Sequence, residues 1–478
     1  EGKGDGSAAA SMLPRPRDFT QARYQIRTTA SGALPTDDDL HRILERGMPG
    51  TAMPGWPTLN KEQRDQVIAY IKTFSNFFKT EKPAAAMDFG KAPGSSDDRI
   101  EDGRKTYEKI ECWKCHGRAG RGDGPSAPTQ KDEYNHPIRP VNLTQNWRFN
   151  GGSTAEDIYA RLRTGLDGTP MPSFSDLLDS KVVTEEQLWN VALFVRSLSP
   201  AEPPEPREVI RAKLLTGNLP ARVDAPEWND IEAAYVPLVG QIIAKPRWFA
   251  PSVNNVWVQA AHNGRELALL LSWDDPSQSP NATWGQWQTR ITDFMEPKDT
   301  PPVTGNLPDA FTVQFAPRAG EGRDLPYFLN GDTRTPVYLW EWRSDTGVRE
   351  AVAKGIDNVT ALAADGAPVQ ALAAFKDGRW QLLLRRALTA QDTAQRTTFA
   401  TATTLPIAFA AWDGSNGETG GRRSISSWYF IYLEQPLTAG VYVTPIVAAV
   451  ITALLAIMLV TRAQKRRVVS PHDKKHLT

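Results

Sequence analysis

Apolar residues recur at three- and four-residue spacing in two places along the chain. Leu188, Val191, Val195 and Leu198 fall on one helical face, and so do Val67, Ile68, Ile71 and Phe74. Further on, the period shortens to that of strands. Val256-Trp257-Val258 and Leu267 to Trp273 are β-favouring runs joined by Asn263-Gly264, a hairpin-turn signal. A second hairpin-like pair flanks Lys376-Asp377-Gly378, and Phe311 to Phe315 and Val337 to Trp342 read as half-buried strands. Near the end, Val441 to Thr461 carries no charge. At about 1.5 Å per residue it reaches roughly 30 Å, the thickness of a hydrocarbon core. Arg462, Lys465, Arg466 and Arg467 follow directly, and basic flanks of this kind stay on the cytoplasmic side. The expectation is a single-pass cell-membrane protein with its large N-terminal part periplasmic and its tail cytoplasmic.

These patterns divide the chain into units at residues 1–80 and 99–200, separated by a linker at 81–98 rich in Ala, Pro, Gly and Ser. A proline-rich hinge, Pro200 to Pro206, leads into a third unit at 207–436, then the span at 441–461 and the tail at 462–478. The first two units are repeats. Gly4-Asp5-Gly6 matches Gly122-Asp123-Gly124, and Gly50-Thr51-Ala52-Met53-Pro54 matches Gly168-Thr169-Pro170-Met171-Pro172, both at an offset of 118. Glu62-Gln63 matches Glu186-Gln187 at 124, so six residues entered between.

Charge and cysteine usage narrow the chemistry. Lys+Arg and Asp+Glu both number 55 in the 478 residues, and the zero balance argues against a nucleic-acid partner. With two cysteines a disulfide framework is excluded. Those two stand in Cys112-Trp113-Lys114-Cys115-His116, the c-type haem attachment pattern. Two thiols three residues apart reach the two vinyl groups of one porphyrin, and the adjacent His lies under the iron. A zinc site would need about four ligands, and a thioredoxin-type pair its own βαβ setting. Met171, in a Pro-Met-Pro loop, is the candidate sixth ligand, with His136 as its competitor. A thioether there raises the reduction potential and closes the iron to substrates.

The attachment motif from Cys112 to Gly117, the loop Gly120-Arg121-Gly122-Asp123-Gly124-Pro125, Thr169-Pro170-Met171-Pro172 and the closing helix resemble class I cytochrome c domains. The resemblance implies a small all-α fold around one haem c. The first unit is similar but lacks the cysteines, which by the offset of 118 fall just before Glu1. The expectation is a chain whose first haem motif lies upstream, with a degenerate domain without haem as the alternative; if the motif is there, the complete protein holds two haems c and Met53 ligates the first iron. In the third unit, Ala260-Ala261-His262-Asn263-Gly264, Trp273-Asp274-Asp275-Pro276 and the stretch from Ala408 to Ser424 resemble the haem-binding domain of ethylbenzene dehydrogenase γ subunits. That resemblance implies a β-sandwich and, in the family, a b-type haem held between a Met and a Lys. Here Leu329 and Asn330 stand where the Met belongs, and Arg422 and Arg423 where the Lys belongs. Arginine offers iron no lone pair, so two readings of 207–436 stay open, a b haem or a sandwich kept for docking partners. Of the other possible ligands in this unit, Met295 and His262, the latter sits beside a turn and reads as a surface residue.

The fold expected is therefore two all-α cytochrome c domains, one all-β sandwich or barrel, and one C-terminal transmembrane helix. The function expected is electron transfer between an oxidoreductase and the respiratory chain, without catalysis by the chain itself. By analogy the partner is a molybdenum oxidoreductase, with a soluble cytochrome or a terminal oxidase at the other end. A c-haem enzyme with an open iron, or a haem-bearing docking subunit, are the alternatives; free carbon monoxide binding would mark the first.

Overall fold

The computed structural model describes all residues except 296–302, 304, 317–324, 365–366, 437–438 and 469–478. Two compact units emerge, Glu1–Leu433 and Glu434–Thr478.

The first unit opens with the two helical repeats. One holds α1 (Asp37–Arg46), α2 (Lys61–Lys72) and the short α3 (Phe77–Thr80). The other holds α4 (Asp97–Lys109), α5 (Trp113–His116), α6 (Ala155–Thr164), α7 (Ser175–Asp179) and α8 (Glu185–Ser197). Reciprocal caps start the matching helices. Thr36 and Asp39 cap α1 as Thr154 and Asp157 cap α6. Asn60 and Gln63 cap α2 as Thr184 and Gln187 cap α8. Each such cap stabilises by about 1 kcal/mol, and their positions keep the offsets of 118 and 124.

In the second repeat α4 crosses α8 at glycine. A Cβ on Gly103 would lie 1.9 Å from the Asn190 carbonyl oxygen. Asn190 fixes the crossing by donating to Asp102 Oδ2 at 2.8 Å and accepting from Arg99 at 3.2 Å. The stretch between the repeats has no regular element but is tied down. Met87 N–H donates to Thr28 O at 2.9 Å, and Phe89 meets Tyr159 edge-on at 6.4 Å. The repeats also join through Arg27, fully buried, which pairs with Asp167 at 2.8 Å and donates to Thr164 O at 3.0 Å.

The β part comprises β1 (Val209–Leu214), β2 (Ala234–Pro237), β3 (Val239–Gly240), β4 (Asn255–His262), β5 (Glu266–Asp274), β6 (Ala310–Phe315) and β7 (Val337–Arg343). It continues with β8 (Gly347–Ala353), β9 (Val359–Ala361), β10 (Gln370–Lys376), β11 (Arg379–Ala387), β12 (Thr404–Trp412), β13 (Ser424–Ile425) and β14 (Tyr429–Leu433). The main path is β10-β11-β5-β4-β1-β14-β12-β6-β7-β8-β9. Among the described residues only β1 pairs in parallel, with β4 and β14. Asn263-Gly264 and Asp377-Gly378 make the two hairpins read from the sequence, joining β4 to β5 and β10 to β11. Trp273 on β5 touches Phe311 on β6 at 4.7 Å and Trp342 on β7 at 6.0 Å, though several strands separate them along the sheet. The sheet therefore curls over itself into two layers, enclosing a core of Trp273, Trp340, Trp342, Trp380, Phe311 and their aliphatic neighbours.

Two sequence expectations change here. β6 and β7 are buried on both faces, not half-buried. His262 is 1% exposed, because β1 pairs in parallel alongside it and Leu215 donates to its carbonyl. Helix α9 (Gly285–Met295) lies outside the sheet; Trp284, Trp287, Ile291 and Met295 join Trp248 and Ala127 of the second helical repeat in one cluster.

The second unit contains α10 (Ala439–Val468), whose apolar stretch Val443–Lys465 has mean hydropathy 2.7. It is long and apolar enough to cross a membrane. The part of the basic tail beyond Val468 lies outside the described residues.

Candidate haem centre

Helix α4 ends in a reversal at Glu111, where φ is +62°, and the chain then makes the single turn α5. Cys115 N and His116 N both donate to the Cys112 carbonyl, at 3.2 and 3.0 Å. That turn puts the two sulfurs and the imidazole on one short segment. Both cysteines are free and half-buried. Burial pushes the Cys112 thiol up to about 12 and raises Cys115 as well. Neutral thiols in an apolar wall suit covalent attachment and disfavour the thiolate that a bare metal site requires.

His116 Nδ1 lies 3.0 Å from the Val141 carbonyl oxygen. A carbonyl only accepts, so Nδ1 carries the hydrogen and the Nε2 lone pair is left for a metal. Burial lowers the imidazole pKa, partly opposed by the bond to Val141, and so favours that neutral form. The following loop folds back on the motif. Gly122 N donates to His116 O at 2.8 Å, Gly124 N to Cys115 O at 3.1 Å, and Tyr107 OH to Gly117 O at 2.7 Å. At Gly117 φ is +78°, and a Cβ would sit 1.7 Å from Asp123 Oδ1. Only glycine permits both.

Met171 is packed against the same apolar cluster as Cys112 and Trp113, so the structure brings these sequence candidates to one core. Its loop is held by Leu166 N to Met171 O at 3.1 Å, Thr169 Oγ1 to Leu166 O at 2.8 Å, and Met171 N to Thr169 Oγ1 at 3.2 Å. The first repeat reproduces each bond: Met48 N to Met53 O at 3.0 Å, Thr51 Oγ1 to Met48 O at 2.8 Å, and Met53 N to Thr51 Oγ1 at 3.1 Å. Met53 packs on Tyr24, Leu40, Leu44 and Ile68. The donors present, two thiols, a neutral imidazole and a thioether around an apolar core, fit one c-type haem. His136 is engaged elsewhere. Its ring lies 4.7 Å from that of Phe294 on α9, and its Nδ1 is 3.3 Å from Asp132.

The β domain does not fit a b haem between the positions the resemblance indicates. Arg423 donates to Asn330 Oδ1 at 3.1 Å, and the two residues are 4% and 6% exposed. Asn330 N in turn donates to Gln314 at 3.1 Å, and the Arg423 guanidinium lies 5.2 Å over the Trp412 ring. The two side chains that would face opposite sides of an iron touch each other. Burial lowers the Arg423 pKa to about 10, which still leaves it protonated at neutral pH. Met295 is committed to the α9 cluster.

Sequence reasoning missed the seam between the second repeat and the sandwich. Asp274 accepts from Arg121 at 3.1 Å, Arg379 at 2.8 Å and Asn142 at 2.7 Å. Arg139 pairs with Asp413 at 3.5 Å and lies 4.7 Å over Trp287. The partners are far apart in the chain, and no local pattern announces them.

The family model for ethylbenzene dehydrogenase matches residues 225–361 and 356–424, and the model for cytochrome c matches residues 100–199. Over 222 residues the chain is 30% identical to a Haloferax mediterranei protein assigned as a respiratory nitrate reductase heme subunit, covering 46% of this chain and 71% of that one. It is 25% identical over 231 residues to the gamma subunit of chlorate reductase from Ideonella dechloratans, covering 47% and 85%. With the gamma subunit of dimethylsulfide dehydrogenase from Rhodovulum sulfidophilum it shares 24% over 182 residues, covering 36% and 58%. A cytochrome c domain joined to such a subunit makes the chain an electron-transfer protein and not itself a catalyst. The chain belongs to the ethylbenzene dehydrogenase-related haem subunits, and it carries a cytochrome c match and an ethylbenzene dehydrogenase match within one polypeptide.

Proposed function

We propose that Cys112 and Cys115 hold one haem c by thioether bonds, that His116 and Met171 are its axial ligands, and that the centre passes single electrons between a redox enzyme and a respiratory membrane. Bound there, the haem supplies reversible one-electron iron chemistry. The protein's part is to fix the ligands: Val141 holds the His116 tautomer, and Thr169 and Leu166 hold the Met171 loop. The observation that carries this reading is the His116–Val141 bond beside two neutral thiols, with Met171 on the same core. Met53, held as Met171 is, is positioned to ligate a second iron.

The remaining parts fit around that centre. Helix α10 anchors the chain, with the cytochrome and β domains on the periplasmic side. The β domain acts as a docking module without b haem, supported by the Arg423–Asn330 pair. The partner is an oxidoreductase of the kind named for the relatives, in our reading a molybdenum enzyme acting on nitrate, chlorate or dimethylsulfide. A soluble cytochrome or terminal oxidase takes the other end. Attachment is tested by replacing both Cys112 and Cys115 with Ser. The unmodified chain should keep haem-linked peroxidase staining on denaturing gels, and the double variant should lose the staining that belongs to residues 99–200. Unchanged staining of that segment, freed by cleavage both in the 81–98 linker and at the hinge, would exclude the attachment.

A further inference from the structure

Three loop ends of the sandwich converge at a point outside the haem centre. Asp275 follows β5, Asp309 precedes β6 and Asp413 follows β12. All three are buried, and one oxygen from each lies within 4.8 Å of the others. Asp309 is firmly held: Oδ1 accepts from Gly414 N at 3.0 Å, and Oδ2 from Ser279 N at 2.7 Å and Trp380 Nε1 at 3.1 Å. Asp413 Oδ1 accepts from Ser415 Oγ at 2.6 Å and Asn416 N at 3.2 Å, and its Oδ2 faces Arg139 at 3.5 Å. Asp275 differs. Its Oδ1 accepts from Ser277 N at 3.1 Å, but its Oδ2 is buried without a hydrogen-bond partner among the described residues, on a residue 1% exposed.

The charges do not balance. Glu418, whose Oε2 accepts from Asp413 N at 3.0 Å, is a fourth buried acid at this point. Among the described residues the guanidinium that ion-pairs there is Arg139, and its partner is Asp413. A buried carboxylate oxygen left without a donor is strongly disfavoured.

We propose that Asp275, Asp309 and Asp413 bind one Ca2+. The three ligands are all carboxylate oxygens, the donor set of a hard cation. The 4.8 Å limit on their separation is about twice a Ca–O bond of roughly 2.4 Å, so one ion can touch all three. The ion gives Asp275 Oδ2 its missing partner and ties the ends of β5, β6 and β12 together. Arg139 of the cytochrome repeat rests on the same Asp413 and donates to Asn416 Oδ1 at 3.1 Å. The site is therefore a clamp beneath the surface on which that repeat docks.

The test uses the full detergent-solubilised chain, stripped with a calcium chelator and then exchanged into chelator-free buffer. Titration with CaCl2 in a calorimeter should give one Ca2+ per chain. The unfolding temperature should rise with about 1 mM CaCl2, the range of extracellular calcium modules, and not with the same MgCl2. Asp275→Asn should lose both responses while keeping the haem absorption. The proposal fails if the stripped chain shows no heat and no shift at that concentration, or if Asp275→Asn still binds one Ca2+. It fails too if that variant is the more stable protein without calcium, which would mark a cluster that shares protons. If Asp275→Asn does not fold, calcium binding by the stripped unmodified chain decides alone.

Discussion

At the scale of single residues, the centre depends on atoms whose state is set by one neighbour each. Val141 dictates which imidazole nitrogen of His116 is free, and Thr169 holds the backbone of Met171. Sulfur is a soft ligand that favours ferrous iron. Replacing Met171 by Ala should therefore lower the potential, abolish the weak oxidised band near the red end of the spectrum, and open the iron to carbon monoxide. On the attachment proposed above the haem should stay covalently held, because neither Cys112 nor Cys115 is changed. Retention of both the potential and the carbon monoxide resistance would pass the role to another residue. His136 would be the first to examine, although its ring is packed on Phe294.

Among elements, the α4–α8 crossing is the most sensitive point in the second repeat. Gly103 is helical, and Ala is the better helix former by about 1 kcal/mol. Yet the added methyl would lie 1.9 Å from a backbone oxygen of α8, which cannot step aside as a flexible side chain can. Overpacking of this kind costs about 1–3 kcal/mol or more, so the clash outweighs the propensity. Gly103→Ala should lower the unfolding midpoint of the cytochrome repeat in a chemical denaturation followed by haem absorption. A midpoint equal to or above that of the parent would show that the helices cross further apart.

For the whole molecule, two features govern how the domains act together. The first is Asp274. Burial pushes its pKa up, but Arg379 and Arg121 outweigh that, and the carboxyl is held below its ordinary value. A depressed folded pKa contributes stability above the unfolded value near 4, and that stability is lost as pH falls through the lower folded value. Docking of the cytochrome repeat should thus be constant from pH 7 to about 5 and weaken below about 4. Asp274→Asn should cost about 1.5–3 kcal/mol at neutral pH, read as faster proteolysis of the Pro200–Pro206 hinge. Equal cleavage of variant and parent would show that Asp274 does not hold the seam. The second feature is α10. Protease added to intact spheroplasts should digest the cytochrome and β domains and spare the tail. Protection of the cytochrome domains would place them in the cytoplasm.

Much of this protein is written locally. The haem motif needs five consecutive residues, the apolar helix α10 needs one uncharged run, and the hairpins at Asn263-Gly264 and Asp377-Gly378 need only turn residues between apolar strands. The repeat is legible for the same reason, since caps and loop bonds each reach only a few residues and recur at fixed offsets. What sequence could not decide is whatever joins distant segments. Burial of His262 depends on β1 arriving in parallel from some fifty residues upstream. The contact between Arg423 and Asn330, the seam at Asp274 and the meeting of Asp275, Asp309 and Asp413 all follow from the curl of the sheet. Short-range hydrogen bonding determines helices, turns and the attachment motif, whereas side-chain pairings across the sandwich exist only once long-range packing has closed it.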